Sequence, residues 1–78
     1  MDKSDKASLQ TITLDVLPIE LSALLKFAGV AESGGEAKHM IREGLVAVNG
    51  EVELRKGRKL HPGDRVVIGQ QTLVVSGS

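Results

Sequence analysis

The chain has 78 residues, of which 41% are hydrophobic and 26% charged, and its ten basic side chains balance ten acidic ones. That is globular rather than disordered composition, and at this length a single small domain buries about 60% of its unfolded surface, too little to hold a deep substrate cavity and a second lobe. The absence of cysteine excludes a disulfide framework and a thiolate metal site and fits a cytoplasmic location, while no apolar run approaches the roughly 18 residues that span a bilayer.

The first residues, Met1 to Ser8, are polar and include Asp2, Lys3, Asp5 and Lys6. They lack the apolar stretch of a signal peptide, so residues 1–8 read as a solvated tail and residues 9–78 as one domain. Ile12, Leu14 and Val16 alternate with Thr13 and Asp15, which predicts a strand with one buried face. Pro18 suits the first turn of a helix, where its missing N–H costs nothing. Leu21, Leu24, Leu25 and Ala28 make one apolar helical stripe, and Gly29 stands where a helix stops.

A second helix follows. Ser33 and Glu36 have the spacing of a capping box, Ala37, Met40 and Ile41 form the buried stripe, and Gly44 ends it. The two helices are close enough in sequence to pack as a hairpin. Beyond them Val46 and Val48 alternate, Asn49-Gly50 signals a tight turn, and Val52 and Leu54 resume the alternation. Arg55 to Lys59 is a basic loop around Gly57. Pro62-Gly63 fits a type II turn. Two last strands are expected at Arg65–Ile68 and Thr72–Val75, separated by Gly69-Gln70-Gln71.

Catalytic chemistry finds little support. There is no cysteine nucleophile, and His39 and His61 have neither a motif partner nor metal-ligand spacing. Ser33-Gly34-Gly35 could offer N–H groups to a phosphate, but Glu36 would satisfy that helix terminus internally and repel an anion. The chain is read as a non-enzyme with no cofactor and no metal.

Charge is more informative. Residues 1–54 hold five basic and nine acidic side chains, whereas residues 55–78 hold Arg55, Lys56, Arg58, Lys59 and Arg65 against Asp64 alone. The two parts are thus −4 and +4, an asymmetry that creates the local field a phosphate backbone senses. Lys38 and Arg42 share one face of the second helix, with His39 beside them, and Lys26 lies on the solvent side of the first. The same pattern also fits a solvated helix on which Lys38 and Arg42 pair with Glu36 and Glu43. Phe27 is the single aromatic, so a base-stacking sheet platform is excluded and any recognition must rest on backbone and shape.

In order, Leu-Leu-Lys-Phe-Ala-Gly-Val-Ala at 24–31, Glu-Ala-Lys at 36–38, Ile-Arg-Glu-Gly at 41–44, Val-Ala-Val-Asn-Gly at 46–50 and Pro-Gly-Asp at 62–64 resemble the RNA-binding domain first described in ribosomal protein S4, the alpha-L fold. Glu32-Ser33-Gly34 and Glu53-Leu54-Arg55-Lys56 resemble most the small stand-alone bacterial members. The resemblance implies an α+β fold in which two short packed helices lie against a small, mostly antiparallel sheet of four to five strands. It also implies binding of structured RNA, ribosomal or transfer RNA. The ribosome is a further expected partner, and a monomer that engages no membrane is expected. By position it favours Lys38, Arg42, Arg55 and Lys56 as contacts; Lys26, His39, Arg58 and Lys59 join them on charge and placement. Two departures stand out. Ile19-Glu20 occupies the place of a frequent Arg before the first helix, and Ser33-Gly34-Gly35 that of a frequent Ser-Arg before the second, so the expected contact centre moves toward Lys38, Arg42 and the 55–59 loop. Two other readings share parts of the pattern: a protein–protein adaptor on the ribosome, and a ubiquitin-like sulfur carrier, whose terminal Gly-Gly is replaced by Ser76-Gly77-Ser78.

Overall fold

A computed structural model describes residues 8–77. In chain order they form β1 (Ser8–Leu14), β2 (Ile19–Glu20), α1 (Leu21–Phe27), α2 (Gly34–Arg42), β3 (Val46–Val48), β4 (Glu51–Val52), β5 (Lys59–Leu60), β6 (Arg65–Ile68) and β7 (Gln71–Gly77). Five strands make one sheet in the order β1-β7-β6-β3-β4, and β2 pairs with β5 separately. Within the sheet β4, β3, β6 and β7 run antiparallel to their neighbours, while β1 lies parallel to β7 at the edge. This is the expected α+β arrangement, a mostly antiparallel sheet of five strands whose one parallel pairing is that of β1 with β7.

The first strand differs from its sequence reading. It begins at Ser8 and ends at Leu14, and Val16, expected inside, is 78% exposed. Pairing with β7 sets these limits: the register runs from Ser8 opposite Gln71 to Leu14 opposite Gly77. Among the described residues, no strand pairs with the chain immediately beyond Leu14. Of the expected tail, residues 1–7 fall outside the described residues, and Ser8 belongs to the sheet. Pro18 does not open the helix either. It follows a cis Leu17–Pro18 peptide bond, and Ile19-Glu20 pairs with β5 before α1 starts at Leu21.

The helices follow their patterns. Leu21, Leu24 and Leu25 are buried and Gly29 takes φ +79°, a left-handed conformation that ends α1. At α2 the Ser33 Oγ accepts from the Glu36 N–H at 3.1 Å. The Glu36 carboxylate reaches back to the Glu32 N–H at 2.6 Å, one residue earlier than a standard capping box. Ala37 and Ile41 are buried, with Met40 packed beside them. These side chains join Ile12, Leu14, Val46, Val48, Leu60, Val66, Leu73 and Val75 in one core. Truncating a fully buried leucine here, such as Leu24, is expected to cost about 2–5 kcal/mol.

The hairpin holds a second difference. Asn49 at φ +51° and Gly50 at φ +90° form a two-residue turn of the I′ kind. Such a turn fixes register: Val48 faces Glu51, Ala47 faces Val52, and the Glu53 N–H donates to the Val46 carbonyl at 3.0 Å. Residues opposite one another share a face, so the partners of buried Val46 and Val48 are Glu53 and Glu51. Val52 and Leu54, expected inside, are therefore exposed. Further on, the Asp64 N–H donates to the His61 carbonyl at 3.0 Å and Gly63 has φ +95°, which is the expected type II turn. The last break comprises Gly69-Gln70, since Gln71 already pairs with Ile68.

Candidate nucleic-acid interface

The basic segment is pinned from two sides. Helix α1 has no side-chain cap at Glu20, so the N–H groups of its first turn need other acceptors. The Leu21 N–H donates to the Arg58 carbonyl at 2.8 Å and the Ser22 N–H to the Lys56 carbonyl at 3.1 Å. Between them Arg55 to Arg58 closes as a turn, with the Arg58 N–H donating to the Arg55 carbonyl at 3.2 Å, which places Lys56 and Gly57 at its tip. The loop thus caps the helix, and β5 extends that attachment along β2.

The second anchor is Glu53. Its side chain is only 9% exposed, and its carboxylate accepts four hydrogen bonds. Oε2 takes the Arg55 N–H at 3.0 Å and Arg55 Nε at 2.9 Å; Oε1 takes Arg55 Nη2 at 3.2 Å and Arg58 Nη1 at 2.7 Å. Four donors fill the acceptor capacity of an ionised carboxylate. The hydrogen bonds from Arg55, then the one from Arg58, outweigh the upward push of burial and lower the Glu53 pKa from 4.5 to about 2. Glu53 in turn raises the pKa of Arg55. The two guanidinium groups against one carboxylate leave a single net positive charge on this cluster.

The Asn49-Gly50 hairpin turn is tied to the Pro62-Gly63 turn and the start of β6. Asn49 Nδ2 donates to Asp64 Oδ1 at 3.1 Å, Asn49 Oδ1 accepts from the Arg65 N–H at 2.9 Å, and Asp64 Oδ2 accepts from the His61 N–H at 2.8 Å. Burial pushes the Asp64 carboxyl up. The His61 N–H, the Asn49 amide and the charges of Arg58 and His61 together bring it below its ordinary value.

The remaining cations are arranged differently. Lys56 is exposed at the turn tip, and Lys59 Nζ lies 3.8 Å from Glu20 with both side chains more than half exposed. Lys38, His39 and Arg42 are all exposed on α2. Among the described residues, neither Lys38 nor Arg42 forms an ion pair with Glu36 or Glu43, and Glu36 is committed to the Glu32 N–H. Lys26 is exposed in the last turn of α1, four residues and hence roughly 6 Å along the helix axis from Ser22, where the loop docks. The fold therefore gathers Arg55, Lys56, Arg58 and Lys59 on one turn and aligns Lys38 with Arg42 on one helix. Lys26 lies one turn of α1 beyond Ser22, where the loop docks.

Glu53 was not among the residues that sequence reasoning singled out for the site. The signal lay in the Asn49-Gly50 turn, whose register puts Glu53 on the same side of the hairpin as Val46. Among the described residues there is no pocket and no group of three or more His, Asp or Glu that could hold a metal.

Two packed helices, a mostly antiparallel sheet and a basic turn that caps the first helix define an alpha-L-type domain. A family model described as the S4 domain matches residues 12–76. The chain belongs to the S4 domain family. It is 47% identical over 57 residues to the probable ribosome maturation protein RlbA of Bacillus subtilis (strain 168), covering 73% of this chain and 80% of that protein. It is 50% identical over 48 residues to the putative RNA-binding protein YbcJ of Escherichia coli (strain K12), covering 62% of this chain and 69% of that one. The solution structure of YbcJ from E. coli, described as revealing an alpha-L motif involved in RNA binding, superposes with a TM-score of 0.66 at 42% identity, over 85% of each chain.

Proposed function

We propose that this chain is a non-enzymatic, cytoplasmic protein that binds structured RNA, ribosomal or transfer RNA, as a monomeric, single-domain unit. The observation that carries the reading is the pinned basic turn Arg55–Lys59, which holds four cations in fixed order beside the start of α1. Membership of the S4 domain family and the names of the RlbA and YbcJ relatives support RNA as the partner and the ribosome as the setting. The sparse aromatic content favours recognition of backbone and shape over base stacking. Lys38, His39 and Arg42 would supply a second contact on α2, and Lys26 a further one on α1.

Binding to ribosomal-RNA hairpins should weaken linearly as log Kd against log salt. Neutralising Arg55, Lys56, Arg58 and Lys59 together should flatten that slope. An unchanged affinity and slope in this variant would remove the turn from the interface, and salt-independent binding of the unaltered chain would remove the reading itself.

A further inference from the structure

Arg55 is a surface cation with a fixed orientation. Its side chain is 74% exposed, yet Nε and Nη2 each donate to a different oxygen of the buried Glu53 carboxylate, and its backbone N–H donates to the same group. Arg58 holds Glu53 from a second side at 2.7 Å. The carboxylate is thereby locked by donors from both arginines.

A guanidinium carries five N–H donors in a rigid plane. The side-on edge of Arg55, formed by Nε and Nη2, is consumed by Glu53. The end-on edge, formed by Nη1 with the second hydrogen of Nη2, faces away from the carboxylate. An edge of that shape matches two non-bridging oxygens of a phosphate, a bidentate geometry that an ammonium group cannot copy.

We infer that Glu53 is a positioning residue, and that the outward edge of Arg55, with Lys56 at the tip of the same turn, is a two-pronged site for a phosphodiester group of the bound RNA. This rests on the RNA-binding reading above. Immobilising Arg55 beforehand reduces the side-chain entropy lost on binding, which is a general route to affinity without added contacts. By charge alone a carboxylate in this place should oppose an anionic partner, and that conflict makes the inference testable.

The experiment measures the affinity of the whole chain for a ribosomal-RNA hairpin over a salt series, for wild type, Glu53→Gln, Arg55→Lys and the double variant. Glu53→Gln preserves side-chain volume and adds one unit of positive charge, so a purely electrostatic interface should bind more tightly. The positioning role predicts about tenfold weaker binding instead, the loss expected for one charge-assisted hydrogen bond. Arg55→Lys keeps the charge but not the fork, and should weaken binding to a similar extent with an unchanged salt slope. The double variant should be little worse than either single change, because both remove the same interaction.

Binding by folded Glu53→Gln at or above wild-type strength would overturn the inference, as would wild-type binding by Arg55→Lys. Circular dichroism verifies the fold. If Glu53→Gln does not fold, Arg55→Lys decides, since its exposed side chain contributes little to packing. Wild-type binding with unaffected variants refutes the positioning role alone, whereas a wild type that shows no salt-dependent RNA binding refutes the RNA reading and this inference with it.

Discussion

The molecule presents positive charge in two unlike ways. On the 55–59 turn, the arginines share one buried carboxylate, the backbone is hydrogen-bonded to α1, and Lys59 lies near Glu20. On α2, Lys38 and Arg42 stand exposed without an ion pair among the described residues, on a helix held only by its opposite face. The turn gives up part of its charge to ion pairs; the helix keeps its full charge on exposed side chains that have no ion pair among the described residues. A partner that needs geometry should feel the turn more strongly. A partner that needs only potential should feel the helix at least as much.

The two regions are expected to differ most in stability. Glu53→Ala removes four hydrogen bonds from beneath the turn and leaves Arg58, whose side chain is only 31% exposed, without its anion. We expect a loss of about 2–3 kcal/mol, since hydrogen bonds to charged groups contribute about 1.5–3 kcal/mol each but Arg55 can turn to solvent. That corresponds to a Tm lower by roughly 10–20 °C in a domain of this size. Lys38→Ala and Arg42→Ala should each stay within about 0.5 kcal/mol of wild type. Comparable losses in both regions, measured by urea unfolding, would dissolve the distinction.

The same carboxylate makes the turn sensitive to acid. A carboxyl whose pKa is lower in the folded chain than in the unfolded one contributes stability that is complete above the unfolded value and disappears as pH falls through the folded value. For Glu53 that window runs from 4.5 down to about 2, and Asp64 acts in the same direction. Unfolding free energy followed from neutral pH into this window should decline, and Glu53→Gln should flatten part of the decline. An equally steep curve in that variant would assign the acid sensitivity to other carboxylates.

A smaller effect sharpens the comparison from the helix side. Lys38→Gln with Arg42→Gln removes two exposed cations, and should reduce the slope of log Kd against log salt by about 1.5 if each touches one phosphate. Affinity at moderate salt should fall about tenfold with stability unchanged. The contrast with Arg55→Lys, where affinity falls and slope does not, distinguishes a contact made by charge from one made by shape. If the α2 pair changes neither quantity, the RNA interface is confined to the turn and its surroundings.

Much of the frame is visible in single residues before any coordinates. Leu21, Leu24 and Leu25 mark the buried side of α1, Ser33 and Glu36 mark the start of α2, and Asn49-Gly50 and Pro62-Gly63 mark their turns. Each of these signals acts within a few residues, where sequence spacing and physical contact coincide. The misses are non-local. The limits of β1 depend on β7 at the far end of the chain, and two-residue strands such as β2 and β5 have no period to read. Val52 and Leu54 misled because apolar alternation alone does not say which face is inside; the two-residue turn does, and it turns Glu53 inward instead. For the site, the basic residues are legible as composition. Their division into carboxylate-bound and unpaired groups is not, because it depends on a carboxylate whose burial follows from register.

The least effect is expected within the turn itself, at Lys59 and Glu20. Their charged atoms are 3.8 Å apart and both side chains are more than half exposed, conditions under which solvent screening and side-chain entropy offset most of the attraction. A double-mutant cycle with Lys59→Ala and Glu20→Ala should give a coupling below about 0.5 kcal/mol that shrinks further with salt. What holds β5 beside β2 is instead the backbone pairing of Ile19 with Leu60, together with burial of the Leu60 side chain. Leu60→Ala should accordingly cost about 2–5 kcal/mol and loosen the turn from α1. A strong Lys59–Glu20 coupling would mean that surface charge, rather than Glu53 and the backbone, sets the order of the turn.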